Sequence, residues 1–199
     1  MGEGTTYNKS EFIKALRMKT MPAHKQLESV PLSAAIVSPD VTHDQYAQYL
    51  EQMYAVNADA EQNIYPLLKN VVGDVNDRNK AHLIENDLQA LGRNNSLPAD
   101  KPFTSKKADM TEAFALGVMY VIEGSTLGGR VILKNIQPAL QLTEDNGASY
   151  FAGYGANTGP AWESFMNVLT NYPDNEATEQ EVIAGADFAF SAIYEYMNR

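Results

Sequence analysis

Cysteine is absent, and with it go disulfide scaffolds, thiolate zinc sites, iron–sulfur clusters, covalent c-type haem attachment and cysteine nucleophiles. Any metal chemistry falls to histidine, carboxylate or tyrosine. Positive charge is scarce: 15 Lys and Arg stand against 25 Asp and Glu, a formal charge of −10. That balance excludes a general binder of nucleic acid or of anionic membranes, since each needs a positive field over much of its surface. No charge-free run of about eighteen apolar residues is present, and residues 1–10 lack the apolar core of a secretion signal. No membrane anchor and a cytoplasmic location are therefore expected. Strand-like alternation is scarce as well.

What the 199 residues do contain is a globular balance, 44% hydrophobic and 20% charged, enough for one domain with a sizeable core. Apolar residues recur at helical spacing in nearly every long segment, so the predicted architecture is all-α, with a tail over 1–9 and a single domain over 10–199. Ser10 starts a first helix carrying Phe12, Ile13, Leu16, Met18 and Leu27, which Pro22 kinks or makes restart near Thr20 or Met21. Thr42-His43-Asp44-Gln45 has the form of a capping box and opens a helix through Tyr46, Leu50, Met53, Asn57, Ala60 and Ile64 until Pro66 bends or ends it. A third helix is predicted over 76–91, with Leu83, Ile84, Leu88 and Leu91 inward and Gly92 as its stop. Asp109 with Glu112 starts a long helix to about Ile136, closed by Pro138. The loop 153–160 leads through Pro160, suited to a first turn, to a helix with Trp162, Phe165 and Leu169. Thr178 with Glu181 caps a terminal helix carrying Val182, Ile183, Ala186, Phe190, Ile193 and Met197.

Two features point to chemistry. Gly117, Gly124 and Gly128 fall near one face of the long helix, with Gly129 beside them. Each glycine inside a helix weakens it by roughly 0.8–1.0 kcal/mol relative to alanine, so something must offset them: close helix packing, or a bare backbone laid against a planar ligand. The other feature is His24. His43 sits in a capping box and His82 in a polar stretch, both expected to be solvated, whereas His24 follows Lys9, Lys14, Arg17 and Lys19 and precedes Lys25. Five of the fifteen basic residues thus lie in the first twenty-five positions of an acidic chain. A neutral imidazole, a close-approach glycine helix and a cationic rim are together what a helical bundle needs to hold haem without covalent attachment.

The run Tyr120-Val121-Ile122-Glu123-Gly124-Ser125-Thr126-Leu127-Gly128-Gly129-Arg130-Val131-Ile132 resembles the distal helix of bacterial, biliverdin-forming haem oxygenases. Leu16-Arg17 followed by Ala23-His24-Lys25-Gln26-Leu27-Glu28 resembles their proximal helix. Leu88-Gln89-Ala90-Leu91-Gly92, and Gly153-Tyr154-Gly155 through Thr158-Gly159-Pro160-Ala161-Trp162, extend the resemblance over the chain from about residue 10. It implies an all-α fold that sandwiches haem between a proximal and a distal helix. His24 would ligate the iron, while Gly124, Ser125, Gly128 and Gly129 would line the distal side. Arg17 would lie near a propionate, and Phe190 would be a pocket aromatic. Many members carry an Asp immediately after the glycine equivalent to Gly124; here that position is Ser125. Proton delivery would then fall to water held by Ser125, Thr126 or backbone carbonyls near Gly124.

The activity implied is O2-dependent cleavage of haem b, at once substrate and oxygen-activating centre, to biliverdin, CO and ferrous iron. No flavin, nicotinamide or cluster motif is visible. Electrons would come from an external donor, a ferredoxin or an NAD(P)H-dependent reductase, with the basic N-terminal strip as a candidate docking surface. The alternatives are a haem- or bilin-binding protein of the same fold without turnover, kept open by Ser125, and a non-haem member of the wider helical superfamily.

Overall fold

A computed structural model describes residues 9–93 and 97–199. Its α-helices are α1 (Lys9–Glu28), α2 (Pro31–Ala35), α3 (His43–Asp59), α4 (Ala81–Ala90), α5 (Glu112–Leu140), α6 (Ser149–Ala152), α7 (Thr158–Asn171) and α8 (Glu176–Met197). No β-strand occurs among the described residues; the nearest approach is a pair of isolated bridges from Thr143 to Asn146 and to Gly147. The all-α expectation holds. Of the predicted tail, residues 1–8 lie outside the described residues, and Lys9 already belongs to α1.

Local chemistry sets several boundaries as predicted. Thr42 and Gln45 form the reciprocal capping box of α3, with the Thr42 N–H donating to Gln45 Oε1 at 2.9 Å. Gly92, at φ +74°, ends α4. There the Arg93 N–H donates to the Leu88 carbonyl and the Gly92 N–H to that of Gln89, the paired bonds of a Schellman stop. Pro160 sits in the first turn of α7.

Other boundaries differ from expectation. α1 runs unbroken through Pro22. The carbonyl deprived of its donor belongs to Met18, which is exposed and open to water. Ahead of Pro66 the backbone widens into a π-turn over Ala60–Ile64 and then tightens to a 3-10 turn over Tyr65–Leu68, because the proline ring crowds the carbonyl four residues back. The helix predicted over 76–91 is a 3-10 turn over Val75–Arg78 followed by α4. The chain turns between them so that Arg78 and Lys80 point inward, and Glu61 Oε1 caps α4 from afar by accepting the N–H groups of Lys80 and Ala81. α5 is capped by Thr111 rather than Asp109 and continues through Pro138 to a left-handed Gln141. α8 is capped by Asn175 rather than Thr178.

α5 and α8 form the centre. A Cβ added to Gly117 would lie 2.0 Å from the Val182 carbonyl oxygen, and one added to Gly185 would lie 2.0 Å from that of Phe114. The two backbones touch at a reciprocal pair of glycines. α8 also carries α1 along its length, α6 and α7 cover α5, and α3 packs on α4. By length and composition α5 could cross a bilayer, but half of its most apolar window is buried against these neighbours.

Candidate functional site

α1 and α5 both pack on α8 but scarcely on each other, leaving an opening between them. Arg17 of α1 comes close to Tyr120 of α5 across it; burial pushes the Tyr120 phenol up, and the Arg17 guanidinium pulls it the other way. From there a stripe runs along each helix at i, i+3 or i+4 spacing. On α1 it comprises Arg17, Met21, His24 and Glu28, all exposed. On α5 it comprises Tyr120, Gly124, Leu127, Gly128 and Val131, of which Leu127 is 41% and Val131 67% exposed. Tyr120 and Gly124 meet Trp162 of α7, whereas the apolar face farther along, at Leu127, Gly128 and Val131, is left open.

His24 is the donor in this opening. Its side chain is half exposed, and Nδ1 faces Glu28 Oε1 at 3.6 Å, too long for a hydrogen bond but close enough to favour the tautomer with its proton on Nδ1. Phe190 of α8 meets the imidazole edge-on, with centroids 5.3 Å apart at 74°. Nε2 has no hydrogen-bond partner among the described residues. α1 carries five basic residues against two acidic ones in a chain of net charge −10, so this rim suits an anionic edge. His43 and His82 are exposed, and no cluster of three metal-ligating side chains occurs among the described residues.

The four glycines of α5 have different surroundings. Gly117 is accounted for by α8, and a Cβ on Gly129 would meet the Phe151 carbonyl at 3.3 Å, which ties Gly129 to α6 rather than to the opening. A Cβ on Gly124 would rest on the Trp162 ring at 3.6 Å, an ordinary contact, and one on Gly128 would meet nothing within 4 Å. Gly128 is therefore a helix-weakening residue that no contact among the described residues explains. Beside it, Ser125 and Thr126 donate back to the carbonyls of Ile122 and Glu123, each at 2.7 Å. Such back-bonding loosens the helix ladder where Gly124 already weakens it.

A group that sequence reasoning treated only as part of a motif is Glu123, 1% exposed. Its carboxylate accepts from Arg78 Nη1 at 2.5 Å and from Lys80 Nζ at 2.7 Å, with these cations 2% and 3% exposed. The Tyr154 hydroxyl, at 3.0 Å from both oxygens, completes the cluster. Arg78 further reaches Asp74 and the Ala161 carbonyl. Burial pulls Lys80 below its ordinary value while Glu123 opposes the shift. Burial also drives the Tyr154 phenol far up, with Glu123 adding to it. The cluster fixes α5 one residue before Gly124. No sequence signal marked Arg78 or Lys80, which sit in a polar stretch. Two hollows elsewhere, of about 290 and 610 Å3, contain neither His24 nor any residue of the α5 stripe.

These features define an all-helical protein with an exposed histidine, His24, beside a glycine-containing apolar face. The haem oxygenase family model matches residues 10–199; the chain belongs to the haem oxygenase family. It is 29% identical over 190 residues to haem oxygenase PigA of Pseudomonas aeruginosa, covering 92% of this chain and 90% of that protein. It is 33% identical over 153 residues to a haem oxygenase of Xanthomonas campestris pv. campestris, covering 74% and 86%. Among solved structures, haem oxygenase from Leptospira interrogans superposes with a TM-score of 0.81 at 19% identity over 94% of this chain and 98% of that one. Haem oxygenase-1 of Synechocystis in complex with haem gives 0.76 at 18% over 94% and 90%. These structures share the fold.

Proposed function

We propose that the chain cleaves haem b to biliverdin, CO and ferrous iron, using O2 and electrons from an external ferredoxin or NAD(P)H-dependent reductase. The observation that carries this reading is the imidazole with a free Nε2 on one wall of an opening whose other wall is the α5 stripe, covered by Trp162 at Tyr120 and Gly124 and exposed at Leu127, Gly128 and Val131. The residues fit a porphyrin: one nitrogen ligand, a flat face at Gly128, and cations at Arg17 and Lys14 for carboxylates. Bound haem supplies the oxygen-activating iron and is itself consumed. His24 holds the iron through Nε2, and a neutral imidazole there suits oxygen activation without the strong electron push of a thiolate. Gly128 admits the ring where a side chain would exclude it, and Gly124 leaves room for Trp162 beside it. Arg17 meets a propionate edge, and Phe190 limits how the imidazole tilts. The Ser125 hydroxyl adjoins the open face and is placed to steer a proton donor. The basic strip of α1 is the proposed docking surface for the electron donor.

The test adds hemin to the purified protein, then reductant and O2. A Soret band that decays while a bilin band grows is the expected outcome. A persistent Soret band without bilin supports the second reading, haem or bilin binding without turnover, which Ser125 in the place of an acid favours. No Soret band removes both.

Gly128 yields a prediction with opposite signs. Gly128→Ala should stabilise the haem-free chain by about 0.8–1.0 kcal/mol through helix propensity, since the methyl has no neighbour to strike, and should weaken hemin binding. Denaturant titration with and without hemin checks both; unchanged hemin affinity would remove Gly128 from the ring face.

A further inference from the structure

The stripe that α5 presents to the opening, Gly124, Leu127, Gly128 and Val131, continues one turn on to Asn135, and there the helix is tied to another element. Asn135 Nδ2 donates to the Ile36 carbonyl at 3.0 Å and to the Ser38 carbonyl at 2.8 Å. Both amide N–H groups are engaged, and both acceptors lie just beyond the end of α2. That helix follows α1 through Ser29 and Val30, whose N–H groups donate to the Gln26 and Leu27 carbonyls. Val30 and Ile36 are anchored in the core, 2% and 1% exposed, so the acceptors are fixed relative to the end of α1 that carries His24.

Helix formation does not ask for asparagine at this place, because its amide competes for backbone groups and makes it a weaker helix former than alanine or leucine. Ser125 and Thr126 turn their hydroxyls to carbonyls of α5 itself, whereas Asn135 reaches residues just past α2, a helix that scarcely touches α5. The weak segment of α5 thus lies between two pins, the Glu123 cluster immediately before Gly124 and Asn135 two turns past Gly128. Between them, glycines and hydroxyl back-bonding loosen the helix. Past Gly128 the inner face of α5 is held by Leu133 and Ile136 in the core and by Gly129 against Phe151; Asn135 holds the helix on the side of α1.

We propose that Asn135 is a positioning residue that latches α5 to the end of α2 and so sets the spacing at which the two walls of the opening grip a haem. The inference rests on the haem reading above and adds to it what holds the walls at that spacing. α1 and α5 scarcely touch, so their separation near His24 depends on ties made beyond the opening. Without the two amide bonds, α5 past Gly128 tilts away from α1 about its weak segment. A wider opening meets the ring on one face at a time, and the fraction of molecules able to grip it falls, with apparent affinity falling by the same fraction.

The experiment compares the full chain with Asn135→Ala and with Asn135→Asp, which keeps the shape but has no N–H to donate. Because the chain has no cysteine, Lys25→Cys on α1 and Lys134→Cys on α5, both exposed, place a pair of spin labels across the opening. Their distance distribution in the haem-free chain should be narrow with Asn135 and broader, extending to longer distances, in both variants. Release of hemin to excess apomyoglobin, measured on unlabelled chains, should be faster by about fivefold or more, as loss of two ordinary hydrogen bonds implies. An unmoved distance distribution overturns the proposal. So does a lower melting temperature with unchanged hemin release, which marks an asparagine that serves the fold alone. A wild-type chain with no Soret band overturns the haem reading and the grip on haem together, whereas a Soret band with unchanged release in both variants overturns this role alone.

Discussion

His24→Ala is expected to lower hemin affinity by about 100-fold or more, beyond the ~10–100-fold that follows loss of an outer-shell partner of a metal ligand, and to abolish bilin formation. The imidazole contributes little to the fold. Its side chain is half exposed, and its protein contacts are the Phe190 edge and a 3.6 Å approach to Glu28. Truncation therefore removes little buried area and leaves no orphaned buried group, and the haem-free chain should keep its stability within about 0.5 kcal/mol. Loss of ligand without loss of fold separates a binding role from a structural one. Added imidazole should restore the Soret band of the variant, because the vacated space opens on the same face. An unchanged spectrum in His24→Ala would place the iron elsewhere and remove the proposed mechanism.

The fold was legible in the sequence wherever the controlling chemistry was local. Thr42 and Gln45 satisfy each other across three residues, and Gly92 ends α4 through its own left-handed conformation, so both could be read from neighbours alone. The Asp109–Glu112 and Thr178–Glu181 pairs have the same box spacing, yet Thr111 and Asn175 hold the caps; the pattern tolerates a shift of two or three residues that the backbone does not. The start of α4 could not be read, because its cap, Glu61, lies nineteen residues before Lys80. The α5 glycines show the limit at the site. Gly117 and Gly128 are the same residue on the same helix, but one presses on the α8 backbone and the other faces open space, a distinction that only packing makes. Gly185, the partner of Gly117, drew no notice among small residues. His24, Arg17 and the 124–129 run stood out because rare residue types and a family resemblance marked them.

Glu123→Ala is expected to produce the largest loss of stability, about 3–5 kcal/mol, seen as a melting temperature lower by roughly 10 °C or more. Glu123 is buried with two cations that are themselves almost wholly buried; without it Arg78 keeps Asp74 and the Ala161 carbonyl, and Lys80 keeps the Arg78 carbonyl and the face of the Tyr154 ring but no carboxylate. Removing the carboxylate strands an ammonium and half of a guanidinium in the interior, and their desolvation is no longer offset. Glu123→Gln retains the shape and one acceptor oxygen, so it should fall between wild type and Ala. The contrast with exposed pairs is part of the prediction: Asp44→Ala, which removes the partner of Arg93 on the surface, should change stability by less than about 1 kcal/mol. Because Glu123 immediately precedes Gly124, its loss also frees the segment of α5 that carries the open stripe, and hemin affinity should fall together with the melting temperature. Denaturant unfolding of the three variants, with hemin titration of each, measures both. A Glu123→Ala chain as stable as Asp44→Ala would mean that water reaches Arg78 and Lys80, and that the buried cluster does not hold α5 in place.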